Sequence, residues 1–400
     1  MTDEPSITAA QGRERYRGKG GEAMQWVRLL ADEIGPRRPT GPAERLAAER
    51  VRDELGSEGL AAQLEEFRGL STFAAPVGAV VGMALAAGAL PRRRWLARSL
   101  LAAAAGAHLI VEGGLVRTPV TDVLSRRRSQ NLVATIEPAE DAERTICLLC
   151  HLDTSRSGLL FHPSLIGHLT PWLKAQSAAV LVQSAEPLLG RSRSGRLALA
   201  GCRALLATAA ALLLERELRG EDVPGANDNA SGVAVVAQLA LELLADRPRR
   251  SRIVVLMTGC EEAGMLGAQA FLRSRDTSGW LFLNFDNVGG AAPLHYLPQE
   301  GIVQKWDADS ALASIAAAIA RDRPELGLRA AERPIGLTYD ATPVMARGGR
   351  AITFVAADDG VIPNYHWPTD TTENVDPGAL ERGLEVGRLL VGAIDRGEAD

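Results

Sequence analysis

The chain has 400 residues, 46% of them apolar, and 44 basic against 49 acidic side chains give a formal net charge of −5. That is ample apolar material for a large core, whereas arginines in short clusters and only 4% aromatics exclude a basic, base-stacking nucleic-acid face. The four cysteines, Cys147, Cys150, Cys202 and Cys260, imply no disulfide framework.

The first residues, "MTDEPSITAAQGRERYRGKGGEAM", contain no apolar run of the secretory kind, so no cleavable leader is expected. "AMQWVRLLADEIG" and "GPAERLAAERVRDELGSEGL" then carry apolar residues at helical spacing on either side of a proline-rich turn. "AAQLEEF" reads as a strand. Residues 69–91 contain no charge; "PRRRWLAR" follows, and then a second apolar run over 99–111. The pattern predicts an apolar helical hairpin with an arginine-rich tip.

"QNLVATIEP" and "RTICLLCHLDT" read as strands. Within the second, Cys147 and Cys150 would point to opposite faces, so they are expected to be small buried hydrophobes and not a zinc knuckle or redox pair. Residues 156–219 repeat the earlier design, with apolar helical stretches on both sides of "GRSRSGR". Helix "VAVVAQLALELLADR", strand "RIVVLMTG", a helix over 266–272, strand "LFLNFD", helix "ALASIAAAIARDR", strand "AITFVAA" and helix "ALERGLEVGRLLVGAID" complete the chain. Such alternation predicts one α/β domain over residues 20–398. Its sheet is mixed, mostly parallel and covered by helices on both faces. Apolar helical insertions interrupt it at residues 69–117 and 156–219.

Polar groups gather where strands end. "CHLDT" offers His151 and Asp153, "GANDNASG" offers Asp228, "TGCEEAG" offers Glu261 and Glu262, "NFDNVGG" offers Asp286, and "YHWPTDTTENVD" offers Tyr365, His366 and Asp370. Sites in open α/β sheets lie outside the carboxyl ends of strands. Imidazole with carboxylate is a catalytic rather than a structural zinc set. Two histidines with three or more carboxylates exceed one open site and suit two ions sharing a carboxylate. A carboxylate that is not a ligand must also take a proton from water, so the adjacent glutamates can divide the two tasks. The plainer alternatives are a helix-cap or turn role for Asp228 and a solvated pair for Glu261 and Glu262. Asp370 and Glu373 read as capping and turn groups. His108, His162, His168 and His295 lack a ligand context, though His162 and His168 are placed to line a site mouth from the second insertion.

The ordered motifs "HLD", "GANDNASG", "EEAGMLGA", "NFDNVG" and "YHWPTDTTENVD" resemble the co-catalytic di-zinc aminopeptidases of clan MH. The resemblance runs from about Glu22 to Ile394, the insertions apart. It implies a zinc-exopeptidase fold and a zinc-dependent exopeptidase acting on a peptide or amino-acyl substrate. An aminopeptidase that attacks with a water bridging two zinc ions is the expected type. By the same resemblance His151 and Asp286 bind one zinc, Glu262 and His366 bind the other, and Asp228 bridges them. Glu261 is the general base, the carboxylate of Asp153 orients His151, and Tyr365 hydrogen-bonds the oxyanion. Glutaminyl cyclases and carboxypeptidases are relatives of that family, and the fold also serves as a non-catalytic binding module; these are the alternatives. The chain departs from the family at Tyr339-Asp340-Ala341, where Ser-Asp-His is common, and in the long gap between Asp153 and Asp228.

Two apolar hairpins with arginine tips suit insertion beside anionic headgroups. Membrane association is therefore expected, with a cytoplasmic protein as the alternative. The oligomeric state is left open.

Overall fold

The computed structural model describes residues 21–114, 119–332 and 337–400. The expected domain start at residue 20, the insertion end at 117 and most of the N-terminal stretch in which no leader is expected lie outside the described residues.

Eight strands form one mixed sheet. In chain order they are β1 (Ala62–Gly69), β2 (Arg127–Ile136), β3 (Arg144–His151), β4 (Ser251–Thr258), β5 (Leu281–Phe285), β6 (Leu294–Tyr296), β7 (Arg329–Ala330) and β8 (Arg350–Ala356). The spatial order is β1-β2-β4-β3-β5-β8-β6-β7. The centre, β4-β3-β5-β8, is parallel, and β1, β2 and β6 run antiparallel to their inner neighbours.

Residues of "TICLLC" are buried on both faces, as a central parallel strand requires. Ile146, Leu148 and Cys150 face a large core with helices α1 (Glu22–Arg28), α2 (Pro42–Ser57), α7 (Gly232–Ala245), α9 (Ser310–Asp322) and α10 (Pro377–Asp395). Cys147 and Leu149 face the opposite side, under Phe271 of α8 (Leu266–Ser274) and Val344. Cys147 and Cys150 are thus buried, free thiols on opposite faces, as read from the sequence.

The helix ends follow local chemistry. Asp376 caps α10 by accepting from the Gly378 N–H at 2.9 Å, with Pro377 at the first helical position. Asp309 caps α9 through Ala311 and Leu312.

The segments around residues 69–117 and 156–219 supply four long helices outside this core. They are α3 (Ala74–Ala89), α4 (Trp95–Gly113), α5 (Leu169–Ser184) and α6 (Arg193–Arg219). Although distant in sequence, they pack on one another around Val80, Val81, Ala84, Ala105, Ala179, Val180 and Leu206.

Candidate metal centre

Parallel strands deliver the polar residues to one edge. His151 is the last residue of β3; β4 ends at Thr258, three residues before Glu261; β5 ends at Phe285, one before Asp286. Asp228 comes from the turn Ala226–Ser231 that enters α7, and His366 from the loop after β8. Five sequence-predicted ligands therefore converge, in two groups: His151, Asp228 and Asp286, and Asp228, Glu262 and His366. All five are buried, and Asp228 belongs to both groups.

Asp228 faces two imidazoles with two different oxygens. Its Oδ1 lies 3.2 Å from His151 Nε2, and its Oδ2 lies 3.2 Å from His366 Nε2. Asp286 Oδ2 also approaches His151 Nε2, at 3.4 Å, and Glu262 Oε2 approaches His366 Nε2, at 3.1 Å. One imidazole N–H has a single direction and cannot satisfy two converging carboxylates. A cation at each point of convergence can, so the donor set fits two metal ions. Glu262 Oε1 is buried without a hydrogen-bond partner among the described residues, which leaves it a lone pair to give.

The electrostatics are those of a crowded acidic pocket. Burial opposes ionisation of Asp228, but the two imidazoles outweigh it and hold its carboxyl below the usual range. Glu261 belongs to neither ligand group and keeps a partly exposed face. Desolvation pushes its carboxyl well up; His151 opposes this, and Asp340, Glu262 and Asp286 add to it. Tyr365 stacks on His366 with ring centroids 3.8 Å apart, and burial together with the nearby carboxylates keeps its hydroxyl protonated.

Backbone conformation is forced around the ligands. Cys260, Asn287 and His366 have φ of 55°, 54° and 52°, which non-glycine residues adopt at a cost of about 1–3 kcal/mol each. Neighbouring side chains hold two of them: Glu44 Oε1 accepts from Cys260 N at 3.0 Å, and Asn229 Oδ1 from Asn287 N at 3.2 Å. Gly225, at φ 61°, packs against Thr154 and the Asp228 carbonyl so closely that a Cβ has no room.

Asp153 departs from expectation. Its main-chain carbonyl, not its carboxylate, meets His151 Nδ1, at 3.1 Å; the carboxylate Oδ1 is 3.8 Å away. The turn leaving β3 folds the carbonyl under the imidazole and frees the carboxylate for the loop after β4. Asp370, read as a capping group, accepts from Asn227 N at 2.6 Å and Asp228 N at 3.0 Å, and so fixes the loop that carries the shared aspartate. Glu373 lies in an exposed short turn, and His108, His162, His168 and His295 join neither ligand group. His162 does pack edge-on against Trp367, beside His366.

Four residues escaped the sequence reading. Arg37 is wholly buried and donates to the carbonyls of Leu30, Gly35, Leu152, Pro224 and Gly225, tying β3 to the Asp228 loop. Glu44 braces Cys260. Asp340 accepts from the hydroxyl of Thr258. Tyr339 buries a hydroxyl that has no partner among the described residues, next to Asp286, Asp228 and Glu261. Only Tyr339 and Asp340 carried a signal, as the point where the chain leaves the family motif.

A mixed α/β sheet with paired histidine–carboxylate groups at its carboxyl edge is the design of a zinc-exopeptidase domain. Comparison agrees: residues 209–390 match the model of Peptidase family M28, a span that holds Asp228, Glu261, Glu262, Asp286 and His366 but not His151. The resemblance to the co-catalytic di-zinc peptidases is thereby borne out. A probable lipoprotein aminopeptidase, LpqL, of Mycobacterium tuberculosis is 30% identical over 185 residues, which cover 39% of this chain and 37% of that protein. The chain thus spans little more than a third of this curated relative's length. Among solved structures, the zinc aminopeptidase BSAP of Bacillus subtilis superposes with a TM-score of 0.53 at 16% identity, over 94% of each chain. A glutaminyl cyclase of Bacteroides thetaiotaomicron does so with a TM-score of 0.52 at 14% identity, over 92% of this chain and 95% of that one. At these identities the structures share the fold.

Proposed function

We propose that the protein is a zinc-dependent exopeptidase of the aminopeptidase type, using two zinc ions. The observation that carries this reading is Asp228, whose two oxygens face His151 and His366 separately. In this reading His151 and Asp286 hold one ion, Glu262 and His366 the other, and Asp228 both. Zinc bound there polarises the scissile carbonyl and acidifies the attacking water.

The chain's own groups do the rest. Glu261, outside both ligand groups, accepts a proton from the water and returns it to the leaving amine. Tyr365, still protonated, donates to the oxygen on which charge develops. The substrate's ammonium group sits among the carboxylates of this acidic pocket. Asp153 and Asp370 act on main-chain amides and position the loops that carry these residues.

The test is zinc content of the purified chain together with a panel of amino-acyl, carboxy-terminal and N-terminal glutaminyl reporters. Two zincs per chain with release of amino-acyl groups is the expected result. Ammonia release from the glutaminyl reporter with a single zinc would favour the cyclase alternative, which the shared fold makes worth including. Carboxy-terminal release alone would assign a carboxypeptidase. Two bound zincs with no cleavage of any reporter would favour a binding module.

A further inference from the structure

We propose that α3, α4, α5 and α6 form one four-helix bundle that crosses a lipid bilayer, with the metal-site domain on one side and the arginine-rich tips on the other. The proposal is independent of the reaction the site performs.

The bundle's interior combines small residues, Ala84, Ala87, Ala102, Ala105, Gly106 and Ala179, with Val80, Val81, Val180 and Leu206, all buried. Its outside carries large side chains: Trp95, Leu96, Leu100, Leu197, Leu214 and Leu218 are each more than half exposed. Of the sixteen exposed large apolar residues in the described structure, nine lie on α4, α5 and α6. Five lie on α4, one on α5 and three on α6, so three of the four helices share them. Helices in lipid pack on small residues and turn large apolar ones outward, whereas water-facing surfaces rarely gather so many.

Three polar side chains pair across the bundle, although Gln183 Oε1 and His108 Nε2 have no hydrogen-bond partner among the described residues. Ser184 Oγ donates to the Ala102 carbonyl at 2.8 Å, and Gln183 Nε2 to the Leu199 carbonyl at 2.7 Å. Arg98 pairs with Glu186 near the tips. Such internal pairing is what a medium without water demands.

Length and charge favour full crossing over shallow insertion. Residues 197–214 of α6 span about 27 Å with Arg203 as their single charge, and α3 has none. The hydrocarbon core is about 30 Å thick. Both ends of the bundle are charged, by Arg93, Arg94, Arg191, Arg193 and Arg196 at the tips and by Glu112, Lys174, Glu215 and Arg219 at the base. Insertion into one leaflet would leave the tip arginines at the bilayer centre, at about 2.5–3.5 kcal/mol each. On α6, crossing sets both charged ends, Arg196 and Glu215, among headgroups, while Lys174, about 18 Å from Glu186 by helical rise, reaches them along its flexible stem. Arg203 lays its stem on Gly88, next to the tip end of α3, from which its head can reach the same headgroups.

The test uses full-length chain in the membrane of a bacterial host, in a Cys202→Ala background because the other three cysteines are buried. Ser194→Cys reports the tip and Ser278→Cys an exposed loop of the domain. In sealed vesicles of one orientation, a membrane-impermeant maleimide should label one reporter and not the other, and both after detergent. The protein should also resist alkaline carbonate extraction. Zinc content checks that each variant is folded. Labelling of both reporters from the same side, release by carbonate, or a soluble oligomer without detergent would each overturn the proposal; the last would assign the apolar surface to a second copy of the chain.

Discussion

Asp153 Oδ1 accepts the main-chain N–H of Glu261 at 3.0 Å, while Oδ2 accepts that of Glu262, also at 3.0 Å. One buried carboxylate therefore sets the backbone of both glutamates from beneath. Burial holds its carboxyl up at about 6, while His151 and the two amides from which it accepts favour the ionised form. Asp153→Ala should orphan two amides, at about 1–3 kcal/mol for each that stays buried. Asp153→Asn keeps one acceptor and should cost about half as much. Thermal melts at fixed zinc give the order; equal melting temperatures for Asp153→Ala and wild type would remove Asp153 from this role.

Asp228→Ala should lose both metals, whereas Glu262→Ala should weaken chiefly one. A carboxylate shared between two cations screens their repulsion, and its removal acts on both sites together. Metal analysis after gel filtration reads the difference. Two zincs retained in Asp228→Ala would refute the shared-ligand assignment.

Much of this site was legible because the candidate ligands sit at strand ends and on short polar turns, where apolar runs break off. His151 after "TICLLC" and Asp286 after "LFLNF" are marked by that break alone. Arg37 was not legible, since "PRR" looks the same whether an arginine is buried or solvated; its five carbonyl partners come from three separate segments. The closer contact of the Asp153 carbonyl to His151 was not legible either, because a His-x-Asp spacing does not tell which oxygen the turn will bring nearest the imidazole. The joining of the two hairpins was also hidden, because apolar periodicity shows that a face is dry without showing what dries it.

Two tyrosines compete for the oxyanion role. Tyr365 stacks on His366, and Tyr339 buries a hydroxyl without a partner among the described residues, within the influence of Asp286, Asp228 and Glu261. Tyr365→Phe should lower kcat by about 100- to 1,000-fold with little change in KM, as expected on losing one oxyanion donor. Tyr339→Phe should be milder. The reverse order in steady-state kinetics would transfer the role to Tyr339.

Glu300 provides a pH test at a residue outside both ligand groups, although the charge of Asp286 adds to its shift. It is buried, and desolvation pushes its carboxyl from 4.5 up to about 7, with the Thr342 hydroxyl donating to it at 2.6 Å and holding it down in part. The folded state thus holds this proton more tightly than the unfolded chain. The resulting stabilisation is complete below the unfolded value of 4.5 and is lost as pH rises through about 7. Glu300→Gln cannot lose a proton, so its melting temperature relative to wild type should climb between pH 5 and pH 8, at roughly constant saturating zinc. A difference that does not change with pH would show that Glu300 titrates normally.

The adjacent glutamates give the sharpest separation of roles. Glu262 faces His366 at 3.1 Å and belongs to a ligand group; Glu261, one residue earlier, belongs to none. Glu261→Gln should keep the fold and both zincs, because the amide is nearly isosteric and the ligands are untouched. It should lose turnover, because an amide can hydrogen-bond a water but cannot take its proton. Loss of a general base costs about 100- to 10,000-fold, and here it should fall on kcat rather than KM. Glu262→Gln should differ in kind, losing zinc affinity first and regaining some activity when zinc is added in excess. If Glu261→Gln loses metal while Glu262→Gln stays metalated and inactive, the two roles are exchanged. If both variants match wild type on a substrate that wild type cleaves, the hydrolysis does not depend on this centre.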